Sequence, residues 1–247
     1  MNPRALLGDG RSPLICVPLV AQTRADLLAD AAMAISQHPD IIEWRADHFV
    51  DIGSSDLVLS AAYALREVAG DIPLIFTVRS SAEGGQPVNL SPSALQTLRL
   101  VAADQLPFEF HDLEMQSSEA LIHELISRTH ARGRKVILSA HDFQGTPPED
   151  VLESLFQRAH QLGADVAKVA VMPQVPEDVL RLLTVTQRVS KILPIPVISM
   201  AMGSLGAVSR IFGGVFGSSL TFATSGRESA PGQIPLQDLR AILSRVG

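Results

Sequence analysis

At 247 residues, with 46% hydrophobic and 19% charged side chains, the chain has the make-up of a folded globular protein and not of a disordered one. A formal net charge of −6 argues against broad binding to nucleic acid or to a membrane surface, while leaving room for a local group of arginines that would hold an anionic small substrate. Cys16 is the only cysteine, so no disulfide forms within the chain and a reducing compartment fits. It sits in an apolar strand-like run and reads as a small core residue. Residues 1–13 read as an N-terminal leader segment without the long apolar stretch of a secretory signal. No segment approaches the roughly 20 apolar residues that a spanning helix requires, and a cytoplasmic protein is expected.

From Leu14 onward, short apolar runs alternate with longer amphipathic ones. The short runs are Leu14–Leu19, Ile41–Arg45, Leu74–Arg79, Phe108–Glu114, Val136–Ser139, Val166–Val171, Val197–Met200 and Leu220–Ala223. Their starts lie 23 to 34 residues apart, the length of a strand-plus-helix unit. Between Arg24 and Gln37 the apolar residues Leu27, Leu28, Ala31, Ala34 and Ile35 fall at steps of three and four, which is one face of a helix. Ser91-Pro92 supplies an N-cap followed by proline at the first helical position, and Thr146-Pro147-Pro148-Glu149 reads as a capping box with the same device. Gly133 and Gly163 stand where helices would stop. Eight such units predict an α/β protein, a single-domain (β/α)8 barrel over residues 14–247, in preference to an open doubly wound sheet. No G-x-G-x-x-G follows the first strand, which weighs against a dinucleotide fold.

In a barrel of this kind the active site is built at the carboxyl ends of the strands. Five consecutive runs carry ionisable groups at that end: Glu43, Arg45 and Asp47; Arg79, with Glu83 just beyond; Asp112 and Glu114; His141 and Asp142; and Lys168. The last two loops add Met200, Met202, Arg210, Ser229 and Gln233. Lys168 is the sharpest signal, because it interrupts the apolar run Ala164-Asp-Val-Ala-Lys-Val-Ala-Val-Met-Pro173. A lysine there must be paired, solvated in a cavity or kept neutral. A neutral amine is a nucleophile that forms imines with carbonyl compounds. The bland alternative is a lysine at a strand end with its stem on apolar surface and its head in water. His141 comes from the neighbouring strand, about 4.8 Å away in a sheet, so both side chains can converge on one ligand. Lysine would form the imine, and a histidine would move a proton on the adjacent carbon.

Glu43-Trp-Arg-Ala-Asp47, Thr77-Val-Arg-Ser-Ser-Ala-Glu-Gly-Gly85, Ser139-Ala-His-Asp-Phe143, Ala167-Lys-Val-Ala170 and Ser229-Ala-Pro-Gly-Gln233 together resemble type I 3-dehydroquinate dehydratase, from about Leu14 to the C-terminus. The resemblance implies a (β/α)8 barrel, usually dimeric, that dehydrates 3-dehydroquinate to 3-dehydroshikimate without metal or organic cofactor. It implies that Lys168 forms an imine with the C3 ketone, and that His141 removes a C2 proton and helps the C1 hydroxyl leave. Glu83 matches a carboxylate that would orient the histidine and raise its basicity. Arg210 would pair with the substrate carboxylate, beside Ser229 and Gln233 on the loop closing that end. Glu43, Arg45 and Arg79 would face the ring hydroxyls, and Phe143, Met200, Met202 and Phe222 would supply apolar walls. Glu43 and Arg45 have an alternative reading as an internal ion pair at the barrel mouth, and the methionines as plain core.

Three positions depart from the family's pattern: Pro18 where some members carry serine, Ala140 where some carry asparagine, and Gly203-Ser204-Leu205, without a lysine seen in certain members. These touch substrate contacts and leave imine formation and proton transfer intact. His123 and His130 lie seven apart with no third ligand in view, so no metal site is expected and both read as solvated. A class I aldolase is the nearest rival reading, since it also uses a barrel lysine imine. A catalytically silent metabolite-binding homologue is the other.

Overall fold

Each apolar run forms a strand in the computed structural model, which describes residues 13–246. Of the expected leader, residues 1–13, all but Pro13 lie outside the described residues. The strands are β1 (Leu14–Leu19), β2 (Ile41–Arg45), β3 (Leu74–Thr77), β4 (Phe110–Glu114), β5 (Lys135–Asp142), β6 (Val166–Val171), β7 (Val197–Ala201) and β8 (Leu220–Thr224). The helices are α1 (Arg24–Ser36), α2 (Ser55–Ala69), α3 (Pro92–Gln105), α4 (Glu119–Ala131), α5 (Glu149–Gln161), α6 (Pro176–Ile192), α7 (Ala207–Phe212) and α8 (Leu236–Val246). None of the described helices is long and apolar enough to cross a membrane.

Helix starts follow the capping chemistry in most places. The Ser91 hydroxyl accepts from Ala94 N at 3.2 Å with Pro92 opening α3, and Thr23 caps α1 in the same way. The expected capping box at Thr146 does not form. The two prolines keep the chain extended, α5 starts after Pro148, and the Thr146 hydroxyl is buried without a partner. Gly133 and Gly163 adopt the left-handed conformation just past α4 and α5, at φ +72° and +93°.

The strands pair in parallel in the order β7-β6-β5-β4-β3-β2-β1-β8, and neighbours in that series share three to six register pairs. Closure of β8 onto β7 is thinner: one bridge, Val197 to Ser218, a backbone hydrogen bond from Ser219 N to Val197 O at 2.8 Å, and the Ser218 hydroxyl, which accepts from Ser199 N at 3.0 Å and donates to Ser199 O at 3.4 Å. Two features were not anticipated. β5 continues to Asp142 because its ladder with β6 runs on to Val171, so His141 lies within the strand and not in the loop after it. A two-residue strand, β9 (Ile234–Pro235), runs beside the end of β8 and anchors the loop before it.

Side-chain alternation along the strands builds the site in layers. Cys16, Ile41, Ile75, Phe110, Ile137, Val166, Ile198 and Leu220 fill the barrel interior as one apolar cluster. Two residues further along seven of these strands stand Glu43, Thr77, Asp112, Ser139, Lys168, Met200 and Phe222, so the same face turns polar one step nearer the mouth. The intervening residues, such as Trp44, Phe76, Leu138 and Val169, face outward into the layers under the helices.

Candidate active site

Lys168 is 4% exposed. Its Nζ donates to Asp112 Oδ2 at 3.0 Å, lies 3.8 Å from Glu43 Oε1, and sits 4.7 Å from the centre of the Phe222 ring. The lysine is therefore paired inside the barrel, and the reading with its head in bulk water is set aside. Burial works to raise the Asp112 pKa, but the opposing pull of Arg79 and Lys168 holds the carboxyl well below the usual range.

Arg79 ties the carboxylates together. It donates to Asp112 at 2.7 Å, to the Ser139 hydroxyl at 2.9 Å and to Glu114 at 3.3 Å, with Glu83 at 3.5 Å. Burial opposes its charge, and the surrounding carboxylates, led by Asp112 and Glu114, outweigh that and raise its pKa above the ordinary value. Arg79 lines the cavity, but its terminal nitrogens are already engaged with these partners.

On the adjacent strand, His141 Nδ1 lies 2.8 Å from Glu83 Oε2, which also accepts from the His141 backbone N at 3.1 Å. Glu83 comes from a single helical turn, Ser81–Glu83, after β3. Gly84 ends that turn at φ +80°, and a Cβ there would come within 2.1 Å of the Phe143 ring, so only glycine lets the turn and the ring share this corner. Burial, with Glu114 nearby, pushes the Glu83 carboxyl up to about 8. Glu83 thus contacts both the ring and the backbone of His141, whereas the raised basicity expected of that histidine does not follow. Burial, and then Arg79 and Lys168, hold the imidazole well below its ordinary value. The result is a neutral ring with Nδ1 engaged by Glu83.

The alternative ion pair of Glu43 with Arg45 is not formed. Arg45 makes a two-pronged pair with Asp47, at 2.8 Å for each contact, and Asp47 also accepts from the backbone N of Arg79 and of Gln86. Glu43 instead accepts the Thr77 hydroxyl at 2.7 Å and faces Lys168. At the opposite wall Arg210, from α7, is 1% exposed and donates only to the carbonyls of Phe222 and Pro231, at 3.3 and 3.1 Å. Its Nε has no partner, and among the described residues it makes no ion pair. Burial lowers its pKa to about 10, with Glu228 working in the other direction. Ser229 and Gln233 hold one another: Ser229 N donates to Gln233 Oε1 at 2.9 Å, and Gln233 Nε2 donates to the Ser229 hydroxyl at 3.1 Å.

Every residue to which the family resemblance gives a role, from Glu43 to Gln233, lines one cavity of about 470 Å³ including its open mouth, whereas Asp47, Asp112, Glu114 and Asp142 do not; Gly84, Ala170 and Ala230, which sequence reasoning did not single out, complete it. Met200 and Met202 belong both to its wall and to the interior cluster, so their two readings coincide. Asp47, Thr77 and Ser139 do not line the cavity but hold residues that do, Asp47 pairing with Arg45, Thr77 donating to Glu43 and Ser139 accepting from Arg79; the two-residue step from Arg45, Arg79 and His141 is the signal that places them on the same face. His130 is not simply solvated: its Nε2 lies 2.7 Å from Asp165 Oδ2. Among the described residues no group of histidine, cysteine, aspartate and glutamate is arranged to hold a metal ion.

The fold and this cavity define a (β/α)8-barrel protein with a buried lysine and a carboxylate-paired histidine at its carboxyl-terminal mouth. The sequence model of the type I 3-dehydroquinase family matches residues 15–247, and the chain belongs to that family. It is 45% identical to the 3-dehydroquinate dehydratase of Albidiferax ferrireducens over 96% of this chain and 90% of that protein. The crystal structure of 3-dehydroquinate dehydratase from Geobacillus kaustophilus superposes with a TM-score of 0.92 at 41% identity, covering 95% of this chain and 91% of that one. The type I enzyme from Clostridium difficile, solved with covalent modified comenic acid, gives 0.90 at 38% identity, with 95% and 92% covered.

Proposed function

We propose that this chain dehydrates 3-dehydroquinate to 3-dehydroshikimate through an imine on Lys168, with His141 as general acid and base. The observation that carries the reading is the cavity itself. A buried lysine stands beside a neutral histidine held by Glu83, and the opposite wall holds an arginine cation that makes no ion pair among the described residues. A keto acid of small-ring size satisfies both ends. Its carboxylate would take the Arg210 fork, and its ketone carbon would meet Lys168 Nζ. The imine draws electrons from the neighbouring carbon. His141 then takes the C2 proton and returns one to the C1 hydroxyl, which departs as water. Glu43 and Arg45 would face the ring hydroxyls, Ser229 and Gln233 would close the carboxylate end, and Phe143, Met200, Met202 and Phe222 would exclude water from the imine. We assign residues 14–247 to one catalytic domain that works as a cytoplasmic homodimer without metal or organic cofactor, on the pattern of the family.

The test is to add 3-dehydroquinate to the purified protein, follow the conjugated enone of the product by ultraviolet absorbance, and reduce the mixture with borohydride. Mass spectrometry should find the adduct on Lys168, and Lys168→Met should be folded and nearly inactive. Carbon–carbon cleavage in place of the enone would make the protein an aldolase, and tight binding without turnover would make it a silent homologue. Turnover with no adduct on Lys168 would end the imine mechanism.

A further inference from the structure

Asp112 does not line the cavity, yet its side-chain hydrogen bonds all run to residues around the imine-forming lysine. Oδ2 accepts from Lys168 Nζ at 3.0 Å, and Oδ1 accepts from Arg79 Nη2 at 2.7 Å and from the Ser139 hydroxyl at 2.7 Å. Below it, Phe110 on the same strand face is locked in the interior cluster, and the ladders of β4 pair Asp112 with Thr77 on one side and Ile137 on the other. Both carboxylate oxygens are thus fixed by partners on β5, on β6 and on the segment just after β3. A carboxylate held in this way is a stationary charge and not a mobile base.

We propose that Asp112 is the positioning residue of the imine: its carboxylate holds Lys168 Nζ at the cavity floor and is the counter-ion of the protonated imine. The inference deepens the dehydratase reading and rests on it. Charge bookkeeping supports the assignment. A lysine ammonium and a ketone condense to a protonated imine and one water; the carbon–oxygen double bond is replaced by carbon–nitrogen, and the nitrogen keeps a single positive charge. The partner that suits the ammonium therefore suits the imine, at the same place, with no reorganisation. When His141 takes the C2 proton, the electron pair of that bond moves toward nitrogen and gives a neutral enamine. Departure of the C1 hydroxyl, carrying a proton from His141, restores the cationic imine. Water then hydrolyses it to the product ketone and the ammonium. Because Arg79 and Lys168 hold the Asp112 carboxyl ionised, it takes none of these protons and keeps its charge throughout.

The experiment compares the parent, Asp112→Asn and Ser139→Ala by steady-state kinetics and by borohydride trapping on Lys168. Asp112→Asn keeps the shape and removes the charge. Its kcat per folded site should fall by roughly 10², the order of loss seen when a fixed electrostatic group is removed. KM should stay within about threefold, since Asp112 does not line the wall, and the trapped fraction should fall by about tenfold or more. A residue of merely structural importance would lower the yield of folded protein and leave kcat per folded site and trapping unchanged. That result, or kcat and trapping within about threefold of the parent, would overturn the proposal. Should Asp112→Asn fail to fold, Ser139→Ala decides, because it keeps the charge and frees Oδ1 from one of its two donors. A fall in kcat of roughly three- to tenfold at constant KM is expected, and no change refutes the proposal. A parent that turns over without any trapped Lys168 would remove the imine reading itself, and is distinguishable from failure of the Asp112 role alone.

Discussion

Replacing Arg210 by methionine separates what the fold gains from this residue from what the substrate gains. Arg210 is 1% exposed, and burial lowers its pKa from the ordinary guanidinium value to about 10. A displacement of that size corresponds to a cost on the order of 3 kcal/mol for keeping the cation in the empty site. At pH 7 the folded and unfolded chains both hold the proton, so that cost is present in full. The carbonyls of Phe222 and Pro231 lose their donors in Arg210→Met, which offsets roughly 1 kcal/mol each. The ligand-free variant should therefore be at least as stable as the parent. Activity should move the other way: losing one partner of a buried, hydrogen-bonded charge pair costs about 2–5 kcal/mol, or roughly 30- to 5,000-fold in kcat/KM. Melting curves without ligand and enone-based kinetics measure the two halves. A variant destabilised by more than about 2 kcal/mol, or one keeping kcat/KM within about tenfold, would refute the assignment of Arg210 as an unpaired cation awaiting a carboxylate.

His141→Ala should bind substrate and accumulate the Lys168 adduct while turnover drops by roughly 10²–10⁴; turnover within about tenfold of the parent would pass the role of base to Glu83. Glu83 has a folded pKa raised from 4.5 to about 8, so its contribution to stability is fully present below about 4.5 and is lost as pH rises toward 8. The melting temperature of the parent relative to Glu83→Gln should accordingly fall between pH 5 and pH 8, and a constant difference would contradict the shift. Gly84→Ala adds a Cβ within 2.1 Å of the Phe143 ring at a φ of +80°. It should lower stability by about 1–3 kcal/mol and raise KM by displacing Phe143 into the cavity, and unchanged melting and KM would show that the corner is less tight than described.

The strands were legible because each is a short apolar run, and the site because each run ends in charge at the same end. Alternation did the rest: Ile41 to Glu43, Phe110 to Asp112 and Val166 to Lys168 are single steps along one strand face from oil to ion. Pairings among the charges were not legible. Arg45 takes Asp47 and not Glu43 because the chain turns into a short helix at Ala46–His48, which brings the Asp47 carboxylate back to the guanidinium. Likewise the downward shift on His141 comes first from its burial and then from the approach of Arg79 and Lys168 through the barrel, which no local pattern encodes. The Thr146 capping box failed for a local reason, its two prolines, and β9 was too short to leave a periodic signal.

The short join between β7 and β8 falls between two groups of cavity residues. Lys168, Asp112, Glu43 and His141 stand on strands laced to their neighbours along their length, whereas Arg210, Ser229 and Gln233 hang from the segments on either side of the join, with a single bridge between those strands. The two walls of the cavity thus differ in what supports them: a continuous parallel ladder under one, and beside the other a short join held by backbone contacts and by the Ser218 hydroxyl clasped to Ser199.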